Sequence, residues 1–130
     1  MRRVRESGGA HAPAYVPALC RFAFWSWLLE VVVLALIPPV PHMPSTGWDK
    51  SNHLLAFAVL AVLGQWAYPA QAKVVLLGLV AYGGLIELLQ SLTPDRYAEW
   101  ADLLADCCGL LLGRWFYTAL IQKHTKATQQ

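Results

Sequence analysis

The apolar residues of this chain fall into four blocks, and prolines stand between the blocks. The blocks cover roughly residues 19–37, 50–68, 73–92 and 102–121. A helix needs about 20 apolar residues to cross a bilayer core, and each block approaches that length. Pro38, Pro39, Pro41 and Pro44 follow the first block, Pro69 the second and Pro94 the third. Proline has no N–H to give to the helix ladder, so it marks where helices stop. Of the residues, 57% are hydrophobic and 14% charged, too apolar for a soluble bundle whose helices carry polar stripes. The pattern predicts an all-α polytopic membrane protein with four transmembrane helices, a single domain over residues 1–130. Residues 1–17 and 122–130 read as polar tails. The first block is not read as a cleaved signal peptide, because Pro-Pro-Val-Pro follows it where small residues would be needed.

Charge sets the orientation. Lys and Arg near membrane helices stay in the cytoplasm. With both termini inside, Arg2, Arg3, Arg5, Arg21, Lys73, Arg114, Lys123 and Lys126 lie toward the cytoplasm, and only Lys50 and Arg96 lie outside. The expected topology is therefore N-in/C-in, in the cytoplasmic membrane of a bacterial cell. Trp48, Tyr97 and Trp100 would sit at the outer interface, and Trp66, Tyr68, Trp115 and Tyr117 toward the inner one. A net charge of +2 is too small to suggest nucleic acid. Cys20, Cys107 and Cys108 lie in or beside apolar runs without a Cys-x-x-Cys spacing, and read as small apolar fillers.

This topology gathers the titratable residues. Asp49, Lys50 and His53 open the second helix on the same side as Asp95, Arg96, Glu99 and Asp102. Glu87 lies roughly 7–8 Å inside the end of the third helix, and Glu30 roughly 10 Å inside the first, at 1.5 Å per residue. Asp106 follows Asp102 by one turn. A charge at such depth costs a few kcal/mol, so these positions ask for a reason.

Helical phase gives them a common direction. Asp102, Asp106, Gly109 and Gly113 share one face of the fourth helix, and Gly83, Glu87 and Gln90 share one face of the third. Asp49, His53 and Gly64 fall on one side of the second helix, with Phe57 and Leu60 between. Small residues let membrane helices approach closely, and Gly109-x-x-x-Gly113 has that spacing. The polar stripes should therefore face the bundle interior. Structural roles compete at the helix ends. Asp49 can cap the second helix, Glu99 and Asp102 can answer the dipole of the fourth, and Lys50 and Arg96 can reach the headgroups.

Asp49-Lys50-x-x-His53, then Glu87-x-x-Gln90, then Arg96-x-x-Glu99-x-x-Asp102-x-x-x-Asp106-x-x-Gly109-x-x-x-Gly113 together resemble the VanZ-like family of small bacterial membrane proteins. The resemblance runs from about Trp48 to Gly113; the first helix shares only its hydrophobicity. At Asp106 many members of the family carry Asn. The resemblance implies action at the cell envelope and a link to glycopeptide antibiotic susceptibility, since the namesake is associated with teicoplanin resistance.

Two kinds of function fit these residues. In the first, His53, Glu87 and Asp102 are acid/base groups acting on a phosphate- or sugar-bearing envelope lipid or lipid-linked precursor at the outer leaflet. Lys50 and Arg96 would hold the anionic headgroup, Gln90 would position it, and Asp49, Glu99 and Asp106 would complete the binding site. Glu87 is the expected general base, with His53 as its partner. In the second, the same cleft binds a headgroup or an antibiotic without chemistry, as an accessory protein. An oligomeric transporter or channel is a weaker third reading, because no inverted repeat or broken helix is evident. The chain carries no compact ligand motif such as His-Glu-x-x-His, so no metal ligands are assigned from sequence, although one imidazole and several carboxylates leave a divalent ion open as a cofactor. Whether the chain is an enzyme, whether it forms a homo-oligomer and whether Glu30 joins the site stay open at this level.

Overall fold

The computed structural model describes residues 15–37, 48–94 and 98–127, with side chains for 18–37, 50–94 and 98–123. It contains four α-helices: α1 (Tyr15–Leu36), α2 (Trp48–Ala67), α3 (Ala72–Ser91) and α4 (Trp100–Ala127). A short 3-10 turn, Pro69–Gln71, links α2 to α3. Pro69 opens that turn, where its missing N–H costs nothing.

Helix ends differ from the sequence expectation mainly in α4. It continues to Ala127, where a polar tail was expected from residue 122. The added residues, Gln122–Ala127, contain no Gly or Pro, and Gln, Lys and Ala are good helix formers. The polar segment extends the helix rather than ending it.

Side-chain contacts give the directions. Arg21, near the start of α1, donates from Nε to the Ala67 carbonyl at the end of α2. Gln90, near the end of α3, donates to the Ala35 carbonyl near the end of α1. Lys50, early in α2, meets Glu99 just before α4. Helices α1 and α3 therefore run one way, and α2 and α4 the other.

Among the described residues, three segments are long and apolar enough to cross a membrane: Ala18–Leu36, Pro69–Ser91 and Trp100–Lys123. The expected span over 50–68 is not among them. Polar residues occupy both ends of α2, and its uninterrupted apolar run is Leu54–Leu63. The fold supplies the reason. Helix α2 is the central helix, packed against α1, α3 and α4, with its largest interface on α4. Its inward polar residues His53 and Gln65 are buried against protein, so they do not have to be lipid-compatible. Phe57, Leu60, Ala61 and Ala67 are fully buried and form the core with Phe24, Leu79, Ile86 and Leu110. The outward faces of α1, α3 and α4 carry Phe22, Trp25, Leu77, Leu88, Leu111 and Trp115, all exposed. An exposed apolar shell around a partly polar interior is the pattern of a bundle that faces lipid.

The α2–α4 seam depends on two glycines. A Cβ at Gly109 would collide with the Leu54 carbonyl oxygen, and one at Gly113 with the Ala58 carbonyl oxygen. Leu54 and Ala58 are one turn apart, as are Gly109 and Gly113, so two parallel helices touch backbone to backbone over a full turn. This seam sets α2 and α4 close enough for their side chains to meet directly.

The sequence expectations for Pro38–Thr46 and for Asp95, Arg96 and Tyr97 lie outside the described residues, as do the side chains of Trp48 and Asp49. Asp49 itself stands in the first turn of α2 rather than before it.

Candidate functional site

One polar layer occupies the space between α2, α3 and α4. His53, Glu87, Asp102 and Asp106 are 9%, 8%, 6% and 1% exposed, as buried as the apolar core beside them. Each comes from the helix face that the i, i+3, i+4 spacing assigned. On α4, Asp102, Ala105, Asp106, Gly109, Leu110, Gly113 and Tyr117 are all buried. On α3, Leu79, Gly83, Ile86, Glu87 and Gln90 are buried.

His53 Nδ1 lies 2.9 Å from Asp106 Oδ1. With Asp106 as acceptor, Nδ1 carries the proton and the imidazole is fixed in one orientation. Gly83 makes room for this pair. A Cβ there would come within 2.7 Å of Asp106 Oδ2 and 3.3 Å of the Phe57 ring. The small-residue stripe of α3 therefore accommodates the carboxylate of α4.

Glu87 has two duties. Its Oε2 accepts the backbone N–H of Glu99 at 2.9 Å. That N–H belongs to the turn before α4, whose first donors have no partner inside the helix. A carboxylate there also complements the positive end of the helix dipole. Oε1 is buried and has no hydrogen-bond partner among the described residues. Asp102 Oδ1 and Asp106 Oδ2 share that condition. Donor atoms of His53, Glu87 and Asp102 lie within 4.8 Å of one another. Three buried carboxylate oxygens without hydrogen bonds in one small space are unusual, since buried polar atoms are nearly always paired.

At the rim, Lys50 Nζ lies 2.6 Å from Glu99 Oε2 and 3.6 Å from Asp102 Oδ1. Lys50 and Glu99 are both exposed. The Lys50 hydrogen bond holds the Glu99 carboxyl below its usual range. The ammonium expected to hold an anionic headgroup thus already has a carboxylate on it. Gln90 is buried but points its amide at α1 through the Ala35 carbonyl, 3.0 Å away, so it ties helices together rather than facing the cluster. Glu30 is exposed on α1 and makes no hydrogen bond or ion pair with the described residues. Asp49 and Arg96 belong to the outside set named above. The three cysteines are free thiols at partly buried or exposed positions.

A second polar contact escapes the sequence pattern. Gln65 is fully buried near the far end of α2 and accepts from Arg114 Nη1 at 2.6 Å, while its own amide donates to the Ala61 carbonyl at 2.7 Å. Gln65 follows Gly64, and Arg114 follows Gly113. A polar residue beside each small-residue contact was the available signal. Nearby, Arg21 stacks over the Tyr68 ring at 5.0 Å, and Trp25 donates to the Tyr68 hydroxyl at 3.0 Å. An apolar groove of about 390 Å³, lined by Val59, Val62, Leu112 and Phe116, opens on the side of α2 away from His53. It is not continuous with the polar layer.

No curated protein and no solved structure matches the chain. A model of the VanZ/LLP1 family matches residues 13–122. That range includes α1 and every member of the polar layer. Its extent, together with three helices able to cross a membrane, makes the chain a multi-pass membrane protein that belongs to the VanZ/LLP1 family.

Proposed function

We propose that the protein crosses the cytoplasmic membrane of a bacterial cell four times, with both termini in the cytoplasm, and acts on the headgroup of an envelope lipid from the outer leaflet. Eight of the ten Lys and Arg residues then lie on the cytoplasmic side. Helix α2 crosses within the shelter of its three neighbours. Labelling single cysteines placed at Thr46, Ser7 and Gln129 in intact cells tests the topology; only the first should react with an impermeant reagent.

The observation that carries the chemical reading is the buried His53–Asp106 pair beside Glu87 and Asp102, where one oxygen of each carboxylate has no hydrogen bond among the described residues. An imidazole oriented by a carboxylate can pass a proton to or from a reacting group. Glu87 Oε1 is the oxygen available as general base. The Lys50–Glu99 pair stands at the mouth, where an arriving headgroup would exchange partners with it. A sugar could take its hydrogen bonds directly from the carboxylates. A phosphate would first need positive charge in the layer. Action on lipid-linked envelope precursors would also give a route to altered glycopeptide susceptibility.

Purified protein in nanodiscs, offered polyprenyl-phosphate-linked sugars and phospholipids, tests the reading. Turnover should disappear in Glu87→Gln and His53→Ala. No turnover by the wild type across that panel would remove the enzymatic reading.

One observation favours an accessory binding role. Glu87 Oε2 caps the start of α4, and Lys50 is committed to Glu99, so part of the layer serves the frame. In that reading a headgroup binds at one per chain, emerges unchanged, and is bound less well by Lys50→Ala.

A further inference from the structure

We propose that His53, Glu87 and Asp102 bind one divalent transition-metal ion between α2, α3 and α4, with Asp106 orienting the imidazole. This goes beyond the lipid reading and does not depend on it.

The three residues come from three helices, yet their donor atoms lie within 4.8 Å of one another. Two donors on one tetrahedral ion with bonds of ~2.1 Å are about 3.4 Å apart, so side-chain shifts of the order of 1 Å would close the shell. All three side chains are more than nine-tenths buried. Glu87 Oε1 is buried without a hydrogen bond among the described residues, and Asp102 Oδ1 has only the Lys50 ammonium, 3.6 Å away. A buried anionic oxygen without a donor is costly unless a cation or a proton meets it.

Charge points the same way. Glu87, Asp102 and Asp106 bring three carboxylates to the layer, and Lys50 is the one described cation side chain near them apart from the imidazole. Lys50 sits at the rim, closer to Glu99 than to Asp102. Lys50 is already shared with Glu99, so the three carboxylates of the layer exceed the described positive charge beside them, and a divalent ion would offset that excess. Protons on the carboxylates would also offset it, and the experiment separates the cases.

The donor set and its support select the class of ion. Imidazole suits Zn²⁺ and its neighbours, and carboxylates extend the range to Mn²⁺. Histidines that bind metals usually give the other ring N–H to a carboxylate, which fixes the tautomer and raises basicity. Asp106 at 2.9 Å from Nδ1 is placed for that role, which assigns Nε2 to the ion. An ion here would convert an anionic layer into one that attracts a phosphate.

The test uses the full chain in detergent, stripped with a chelator and titrated with Zn²⁺ alone and Mn²⁺ alone by calorimetry. His11, His42 and His124 are replaced first, since surface histidines bind zinc adventitiously. One ion should bind per chain. His53→Ala, Glu87→Gln and Asp102→Asn should each weaken binding at least tenfold, and Asp106→Asn should weaken it less than His53→Ala. Co²⁺ loaded into the unsubstituted site should show ligand-field bands of a shell with nitrogen, a reading that needs no variant to fold. Absence of binding by the folded chain overturns the proposal, and so does binding that all three variants retain. A preference for Ca²⁺ or Mg²⁺ over Zn²⁺ and Mn²⁺ overturns the imidazole's place in the shell. Metal binding without lipid turnover would count against the lipid reading alone, and turnover without metal binding against this one alone.

Discussion

His53 of α2 meets Asp106 of α4, the most deeply buried carboxylate of the polar layer, at 2.9 Å, within one turn of the glycine seam that brings their helices together. The pair links the packing of the bundle to its chemistry, because the seam sets the distance that the hydrogen bond needs.

Asp106→Ala should therefore cost about 1–3 kcal/mol, the usual result of stranding a buried hydrogen-bond donor. Asp106→Asn keeps a carbonyl oxygen for the Nδ1 proton and should lose much less. Thermal unfolding in one detergent, followed by circular dichroism, compares them. Equal losses in the two variants would deny the hydrogen bond a role.

Gly109→Ala and Gly113→Ala should each destabilise by about 1–3 kcal/mol, the range for overpacking, because the new methyl meets a backbone carbonyl that cannot rotate away. Gly78 and Gly84 give the contrast, since a Cβ at either meets nothing within 4 Å. Alanine there should be neutral, or stabilise by up to about 1 kcal/mol through helix propensity. The same unfolding measurement separates the two classes.

Arg114→Ala should cost about 1–3 kcal/mol by leaving the Gln65 carbonyl oxygen buried without its donor. The cost of adding this change should shrink in a Gln65→Leu background, where that oxygen no longer exists. A double-mutant cycle reads the difference as a coupling; additive losses would mean that the two residues act separately.

The Lys50–Glu99 pair predicts a pH response. Glu99 is held below the ordinary carboxylate range, so the stability it contributes is complete above about pH 4.3, the ordinary glutamate value. That contribution falls as pH drops through the lowered folded value. Both groups are exposed, so the effect is small and salt-sensitive. Carbon-13 NMR of labelled glutamate should find Glu99 titrating low in the wild type and moving upward in Lys50→Met.

The helices and their inward faces were legible in the sequence, because periodicity reports direction. The spacing of Asp102, Asp106, Gly109 and Gly113 predicts one buried face, and all four are buried. Partner choice was less legible. Whether Glu87 meets His53, a lysine or a backbone N–H depends on relative height and rotamer across separate helices, which no single helix encodes. Gln90 shows the limit: it shares a face with Glu87, yet its amide reaches α1. Helix α2 has the expected length, Trp48–Ala67, but falls short of the expected apolar content for another reason. Hydrophobic length measures fitness for lipid, and a helix surrounded by others is chosen for fitness to protein.

Glu87 holds the backbone at the start of α4 with one oxygen and faces the polar layer with the other. Whatever draws on the second oxygen also pulls on the first. Filling the layer would thus tighten or slacken the turn before α4, and through Glu99 the ammonium at the mouth. If the layer takes up a ligand as proposed, this single carboxylate would connect it to the turn before α4 and to the Lys50–Glu99 pair at the surface.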